Sequence, residues 1–303
     1  MTDEVSKLLN LLEVERLEVD LFRGFTSKED AGRQRVFGGQ VIAQALAAAY
    51  RTVEGRLCHS LHAYFIRPGD PKVPIIFEVD RSRDGGSFTT RRVVAIQHGQ
   101  QILNMSASFH VHEDSWEHQH EMPTVKQPEE LKAREEFREL YADKLPEEMR
   151  DEWLRDHPFT MKEIGAINPF KPEPKSDVNH VWFKTTREID ASPAMHHCLV
   201  AWASDMNLLG SSLRPHGLHW VDKRLMTASL DHAIWFHAPL RADNWLLYAM
   251  DSPKAGNGRS FNRGAIYTRD GVLVASVAQE GLMRQVKPRK KDEKGPESPS
   301  CGA

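Results

Sequence analysis

The sequence predicts an α+β chain made of two tandem units, each a long apolar helix followed by a run of antiparallel strands. Three observations carry this. At 303 residues the chain exceeds one ordinary domain and is long enough for two units with their own cores. Helix-like and strand-like patterning follow each other in the same order in both halves. Finally, segments of the second half resemble segments of the first in the same sequential order, as a duplication would leave them.

In the first half, Leu8, Leu9, Leu11, Leu12, Val14 and Leu17 recur at helical spacing and predict an amphipathic helix over 5–20. The stretch from Gly39 to Tyr50 is rich in alanine, with apolar residues all round the cylinder, and predicts a buried helix. Strands follow over 60–67, 73–82, 87–98 and 101–112. They are rich in β-branched and aromatic residues and are separated by Pro68-Gly69-Asp70-Pro71, Asp84-Gly85-Gly86 and His98-Gly99.

The second half repeats the order with a strand over 181–188, a helix over 195–209, and strands over 226–237 and 272–283. Ser60-Leu61-His62-Ala63, followed by Tyr64-Phe65, resembles Ser229-Leu230-Asp231-His232-Ala233, followed by Ile234-Trp235-Phe236, allowing one inserted residue between the Leu and the His of the latter. Ser87-Phe88 before Arg91 matches Ser260-Phe261 before Arg263, and His98-Gly99 matches Asp270-Gly271. The division that follows is a first domain over 1–115, a linker with a helical segment over 116–178, a second domain over 179–287, and a tail over 288–303. The prolines of Asn168 to Pro174 disfavour any regular element at the linker's end.

Composition narrows the function. With 40% hydrophobic and 27% charged residues the chain is that of a folded protein. A net charge of −3 and a pI near 6.6 give no electrostatic footprint for nucleic acid or for an anionic membrane, and neither partner is expected. Cys58, Cys198 and Cys301 form no C-x-x-C pair, which fits a reducing compartment. The N-terminus lacks a basic start and an unbroken apolar core, and no run approaches the ~20 apolar residues of a membrane span. A cytoplasmic protein is expected. The terminal Cys301-Gly302-Ala303 is not an S-K-L address, and a peroxisomal location stays open only for a eukaryotic chain.

Several chemistries find no support. There is no G-x-S-x-G elbow, no H-E-x-x-H and no paired C-x-x-C, while Gly256, Gly258 and Gly264 read as turn residues. His110, His112, His118 and His120 straddle a strand end and a polar linker without a cysteine, so they read as solvated and no metal is expected. Asp231 and His232 are adjacent in a strand and face opposite ways, which denies them a direct partnership.

What remains is polar residues in apolar surroundings. Asp205 sits in Ala201-Trp202-Ala203-Ser204-Asp205-Met206, where a carboxylate needs donors, and Ser229 and Gln279 fall in strands that would pack on that helix. A hydroxyl and a primary amide can both donate to a carboxylate and still bind water. Spacing alone favours a plainer reading: Asp205 at a helix end, Ser229 at the start of a strand, Gln279 on a solvated strand face.

At these residues the sequence resembles the TesB-type acyl-CoA thioesterases, which include bacterial thioesterase II and the peroxisomal acyl-CoA thioesterase of animals. Leu21-Phe22-Arg23-Gly24, Val36-Phe37-Gly38-Gly39-Gln40, His59 to Phe65 and Arg67-Pro68-Gly69-Asp70-Pro71 carry the likeness in the first half. Ala203-Ser204-Asp205, Ser229 to His237 and Asp270 to Gly281 carry it in the second. The resemblance implies a double hotdog, each long helix wrapped by an antiparallel sheet. It also implies that Asp205, Ser229 and Gln279 form a charge-relay trio directing water onto a thioester carbonyl; the hydroxyl is Thr in many bacterial relatives and Ser here.

No cofactor is then expected beyond the coenzyme A of substrate and product. Backbone N–H groups at the Gly38-Gly39 turn, those of Gly39 and Gln40 in particular, are candidates to hold the oxyanion. A covalent route through Ser229 would need a base such as His232 or His237. The rival activities are an acyl-CoA hydratase or dehydratase on the same fold and a non-catalytic acyl-CoA binder. Long sheet edges suggest a homodimer or homotetramer.

Overall fold

The computed structural model of the protein describes residues 3–145, 150, 153–222 and 224–286; the tail expected over 288–303, with Cys301, lies outside them. Helix α1 (Glu4–Leu12) starts where the Asp3 carboxylate accepts from the Ser6 N–H at 3.0 Å, and it buries Val5, Leu8 and Leu12. The next positions on that face are Glu15 and Arg16, so the apolar stripe runs out at Leu12. The chain then extends into β1 (Glu15–Glu18), which pairs with β2 (Leu21–Gly24), and an Arg23–Glu15 ion pair of 2.7 Å crosses the two strands. The helix expected over 5–20 is therefore half helix and half hairpin, because Val14 and Leu17 mimic a period that charge on the buried face breaks.

Helix α2 (Gly38–Tyr50) is buried along nearly its whole length, as its alanine-rich sequence requires, and β3 (Leu57–Phe65), β4 (Ile75–Asp84), β5 (Phe88–Gln97) and β6 (Gln100–His110) follow it. Each of these four strands lies within a few residues of its expected place. The linker holds α3 (Arg134–Ala142) and a strand with no counterpart in the expectation, β7 (Phe159–Ile164), which pairs with β8 (Asn179–Thr185). Then come α4 (Pro193–Ser204), β9 (Leu225–Ser229), β10 (Asp231–Phe236), β11 (Leu246–Gly256), β12 (Arg259–Thr268) and β13 (Leu273–Gln285). None of the described helices is long and apolar enough to cross a membrane.

The strands form one sheet in the order β1-β2-β4-β5-β6-β3-β10-β13-β12-β11-β8-β7, with β9 also on β13. The halves meet edge to edge where β3 pairs with β10, His62 opposite Ala233, so the two segments that resemble each other in sequence are direct neighbours. Their central helices pack together as well. Phe37 meets Trp202 edge-on at 5.0 Å, and the Tyr50 hydroxyl lies 2.9 Å from His197 Nδ1. One core runs through both halves, from Phe22, Ile42 and Leu46 to Leu199, Ile234 and Ile266. This is the tandem hotdog expected from the sequence, with the two units fused through both sheet and helices.

Burial within this core tunes histidines toward the neutral form. His197, 4% exposed and stacked on Phe236 with ring centroids 4.1 Å apart, is pushed down to about 4, first by burial and then by His196 beside it. An unfolded chain returns His197 to about 6.5, so below that pH the unfolded state binds the extra proton. Its contribution is complete above about pH 6.5 and is lost as pH falls toward 4. The expected slope from this one group is at most about 1.4 kcal/mol per pH unit. Urea unfolding of the parent and of His197→Asn between pH 6.5 and 5 should show a shallower fall in stability for the variant; equal slopes would contradict the assignment.

Candidate active site

A cavity of about 650 Å³ opens at the junction of the halves. The first half lines it with Arg33 to Gly38, Val41, Phe65 to Gly69 and Ile102. The second lines it with Asp205 to Asn207, Leu209, Trp220 and Thr227 to Leu230.

Asp205 is the C-terminal cap of α4, with φ −78° and ψ −12°, and not an interior helical residue. The helix expected over 195–209 stops there because Asn207 takes a left-handed conformation, φ 62°, which turns the chain into a short 3-10 segment, Leu208–Ser212. Arg134 holds Asn207 in place by donating to its Oδ1 at 2.7 Å. The carboxylate thus stands at a helix C-terminus, where the dipole disfavours negative charge, and donors must compensate. Asp205 Oδ1 accepts from Ser229 Oγ at 3.0 Å and from Gln279 Nε2 at 3.1 Å. Gln279 Nε2 also donates to Ser229 Oγ at 2.6 Å. The structure brings the three together from α4, β9 and β13.

Register explains the convergence. Ser229 faces Gly281 across β9 and β13, and Gln279, two positions along β13, shares that side. Ala233 faces Ala278 across β10 and β13, so the strand carries one extra residue between Ser229 and Ala233 relative to β13. In an unbroken strand Ser229 and His232, three apart, would face opposite ways. The extra residue, at the break around Leu230, turns both onto the inner side. The inserted residue visible when the halves are compared is this irregularity.

Hydrogen-bond accounting defines what the cluster can do. The single Ser229 proton is committed to Asp205 and both visible Gln279 donations are internal. Among the described residues Asp205 Oδ2 has no protein donor. The capacity left over is therefore acceptor capacity, on Asp205 Oδ2 and a Ser229 Oγ lone pair. Asp205 and Ser229 line the cavity, while Gln279 is fully buried behind them. A water there would donate both protons to the protein and present its lone pair to the cavity.

The N-terminus of α2 lies beside this carboxylate: a Cβ placed on Gly38 would sit 2.7 Å from Asp205 Oδ2. Gly39 is buried where α2 meets α4, and a Cβ there would fall 2.5 Å from the Trp202 carbonyl. Gln40 is turned away. Its N–H bonds the Phe37 carbonyl at 3.1 Å, and its side-chain Nε2 donates to the Phe25 carbonyl and to Thr26. Of Gly38, Gly39 and Gln40, Gly38 lines the cavity, Gly39 lies behind it against α4, and the Gln40 N–H is already engaged by Phe37.

Of the two histidines named as bases for Ser229, neither bonds it. His237 Nε2 pairs with Ser276 Oγ at 2.8 Å, and both nitrogens of His232 are engaged elsewhere. His232 is 1% exposed, with Nδ1 2.7 Å from Gln279 Oε1 and Nε2 2.9 Å from Ser204 Oγ. Sequence reading passed over this contact; the signal was a histidine on the same strand face as Ile234 and Phe236. Burial pushes His232 down from its ordinary value against the opposing pull of Asp205. Asp231, on the other face, accepts from the Glu280 N–H at 2.7 Å. His110 stacks on Phe88 at 4.2 Å and His112 lies 3.5 Å from Asp114.

Comparison with known proteins gives consistent matches over both halves. The family model described as acyl-CoA thioesterase matches residues 150–282, and the one described as acyl-CoA thioesterase N-terminal domain matches residues 27–110. Acyl-CoA thioesterase 2 of Haemophilus influenzae is 38% identical, over 94% of this chain and 99% of its own length. The crystal structure of an acyl-CoA thioesterase II from Mycobacterium marinum superposes with a TM-score of 0.75 at 40% identity, covering 92% of this chain and 98% of that one. A hot dog fold protein of unknown function from Alicyclobacillus acidocaldarius, 19% identical with a TM-score of 0.73 over 94% of this chain and 99% of that one, shares the fold.

Near the cluster, β13 passes closely against the Leu209 side chain at Gly281. A Cβ on Gly281 would lie 1.7 Å from Leu209 Cδ1, in the turn that carries the chain away from Asp205. Gly281→Ala is expected to cost about 1–3 kcal/mol through overpacking, read as an earlier urea midpoint. An unchanged midpoint would show that the turn is not held against β13.

Proposed function

This chain belongs to the acyl-CoA thioesterase family and hydrolyses acyl-CoA thioesters, and we propose that it does so by direct attack of a water held between Asp205 and Ser229. The observation that supports this reading is the acceptor-only capacity of the cluster. A thioester carbonyl is already electrophilic, so the catalyst has to orient water, receive its proton and stabilise the oxyanion. In the proposed step the water oxygen bonds to the carbonyl carbon, the carbonyl π pair moves onto oxygen, and one water proton passes to Asp205 Oδ2. Collapse re-forms the carbonyl and expels the coenzyme A thiolate, which takes up the water-derived proton from Asp205. Ser229 orients the water, and Gln279 holds the carboxylate and the hydroxyl in register. The first-turn N–H groups of α2, beginning with Gly38, are the proposed oxyanion donors, aided by the positive end of the helix. Every group named is a protein side chain or backbone, so the proposed chemistry draws on no cofactor.

The cavity lining offers both kinds of contact that a fatty acyl-CoA needs. Arg33, Arg35 and Arg67 are among the lining residues and are the proposed contacts for the phosphates of coenzyme A. Val36, Phe37, Val41, Phe65, Ile102 and Leu209 offer apolar surface for the acyl chain. Assembly as a homodimer or homotetramer belongs to the same reading, because β1 and β7 end the sheet with one neighbour each.

Two measurements test this. Asp205→Asn should lower thiol release from acyl-CoA by at least about 100-fold while acyl-CoA binding is retained, since it removes the proton acceptor and leaves the shape. Unimpaired turnover would overturn the reading. The double variant Arg35→Ala with Arg67→Ala should raise KM for acyl-CoA, more at low salt than at high salt, and leave the KM of the matching N-acetylcysteamine thioester unchanged. An equal change for both substrates would remove the arginines from coenzyme A recognition.

A further inference from the structure

We propose that His232 is a positioning residue that fixes which end of the Gln279 amide faces the reaction, by donating from Nδ1 to Gln279 Oε1. This rests on the reading of Asp205, Ser229 and Gln279 given above and goes beyond it by placing a fourth side chain behind the three.

The reasoning is a donor count. A primary amide presents an oxygen at one end and an NH₂ at the other, and a half turn exchanges them. Only the NH₂ end can serve Asp205 Oδ1 at 3.1 Å, because an amide oxygen there would oppose a carboxylate. The oxygen end then points into the core, where Gln279 is fully buried away from bulk solvent and needs a donor. Its partner is His232 Nδ1 at 2.7 Å, and two acceptors cannot share so short a contact. Nδ1 must therefore carry a proton. With the ring held neutral by burial, Nε2 is left as an acceptor, and Ser204 Oγ at 2.9 Å supplies its donor. Ser204 Oγ also lies 2.9 Å from the Ala201 carbonyl, which offers its single proton an alternative acceptor.

A chain of directed bonds thus runs from α4 through Ser204, His232 and Gln279 back to Asp205 on the same helix. If the donor on Nδ1 is lost, Gln279 Oε1 is a buried acceptor without a partner. Flipping the amide relieves that loss only by turning an oxygen onto Asp205 and Ser229. Either outcome degrades the position of the carboxylate and hydroxyl without touching the cavity wall, so the effect belongs in kcat and not in KM.

Asparagine and glutamine separate this from general packing. The Asn amide nitrogen can stand where Nδ1 stands, whereas Gln reaches the Nε2 position and leaves the Nδ1 place empty. His232→Gln and His232→Leu should lower kcat by about 10- to 100-fold with KM within about twofold, and His232→Asn should recover most of it. If Asn is as poor as Leu, or if Leu keeps full kcat, the positioning role is wrong. The tautomer of the parent enzyme gives a reading that needs no variant to fold. Nitrogen–proton correlation NMR on histidine-labelled protein should show the His232 proton on Nδ1; a proton on Nε2 alone would overturn the proposal. The two readings fail separately: full turnover in Asp205→Asn sinks the trio, whereas loss there with full kcat in His232→Leu sinks only the role of His232.

Discussion

A half-buried carboxylate at the wrong end of a helix is the constraint around which this molecule is arranged. Asp205 caps the C-terminus of α4, where the aligned carbonyls already supply negative charge, and it lies on the wall of a cavity lined by both halves of the chain. Stability alone would favour an apolar residue there. The carboxylate is tolerated because a hydroxyl and an amide from two strands donate to one of its oxygens, and because the amide is itself held from behind. The oxygen left without a protein donor among the described residues is the one that can act on a ligand. Satisfaction on one side and want on the other are what make the site reactive.

The duplicated fold supplies what one unit could not. Two like strands pair edge to edge and two like helices pack together, so the positive end of α2 reaches the carboxylate at the end of α4. The halves have diverged at the corresponding place. Beyond α2 the first half has Thr52 and the buried Arg91, which donates to Thr52 and to Asp84. The second half kept its polar residues facing a cavity. One glycine in each of two elements, Gly38 in α2 and Gly281 in β13, allows the approaches that bring the parts within hydrogen-bonding reach.

Much of this was legible from residues. The alanine-rich α2 and the four strands after it declare themselves by apolar period and by glycine and proline punctuation. The end of α1 and the strands β1, β2, β7, β11 and β12 did not; β1 and β7 are short strands at the ends of the sheet, and β1 is exposed at every residue. The end of α4 was overrun because Met206, Leu208 and Leu209 continue an apolar run past a left-handed Asn207. At the site, the residue types were visible but their convergence was not. It depends on a one-residue slip between β9 and β10 against β13, and spacing within one segment does not report register between segments. His232 was set aside by the alternation rule, which holds for Asp231 and His232, while the contact that matters lies across the sheet.

The central claim is that water, and not Ser229, attacks the thioester. A rapidly quenched single turnover in ¹⁸O-labelled water, with the enzyme in excess over acyl-CoA, tests it most directly when intact protein mass and the Ser229 and Asp205 peptides are followed together. Free acid carrying the label should form in step with coenzyme A while the protein mass stays unchanged. An acyl group on Ser229, a release of coenzyme A ahead of the acid, or label appearing in the Asp205 carboxylate would contradict the account.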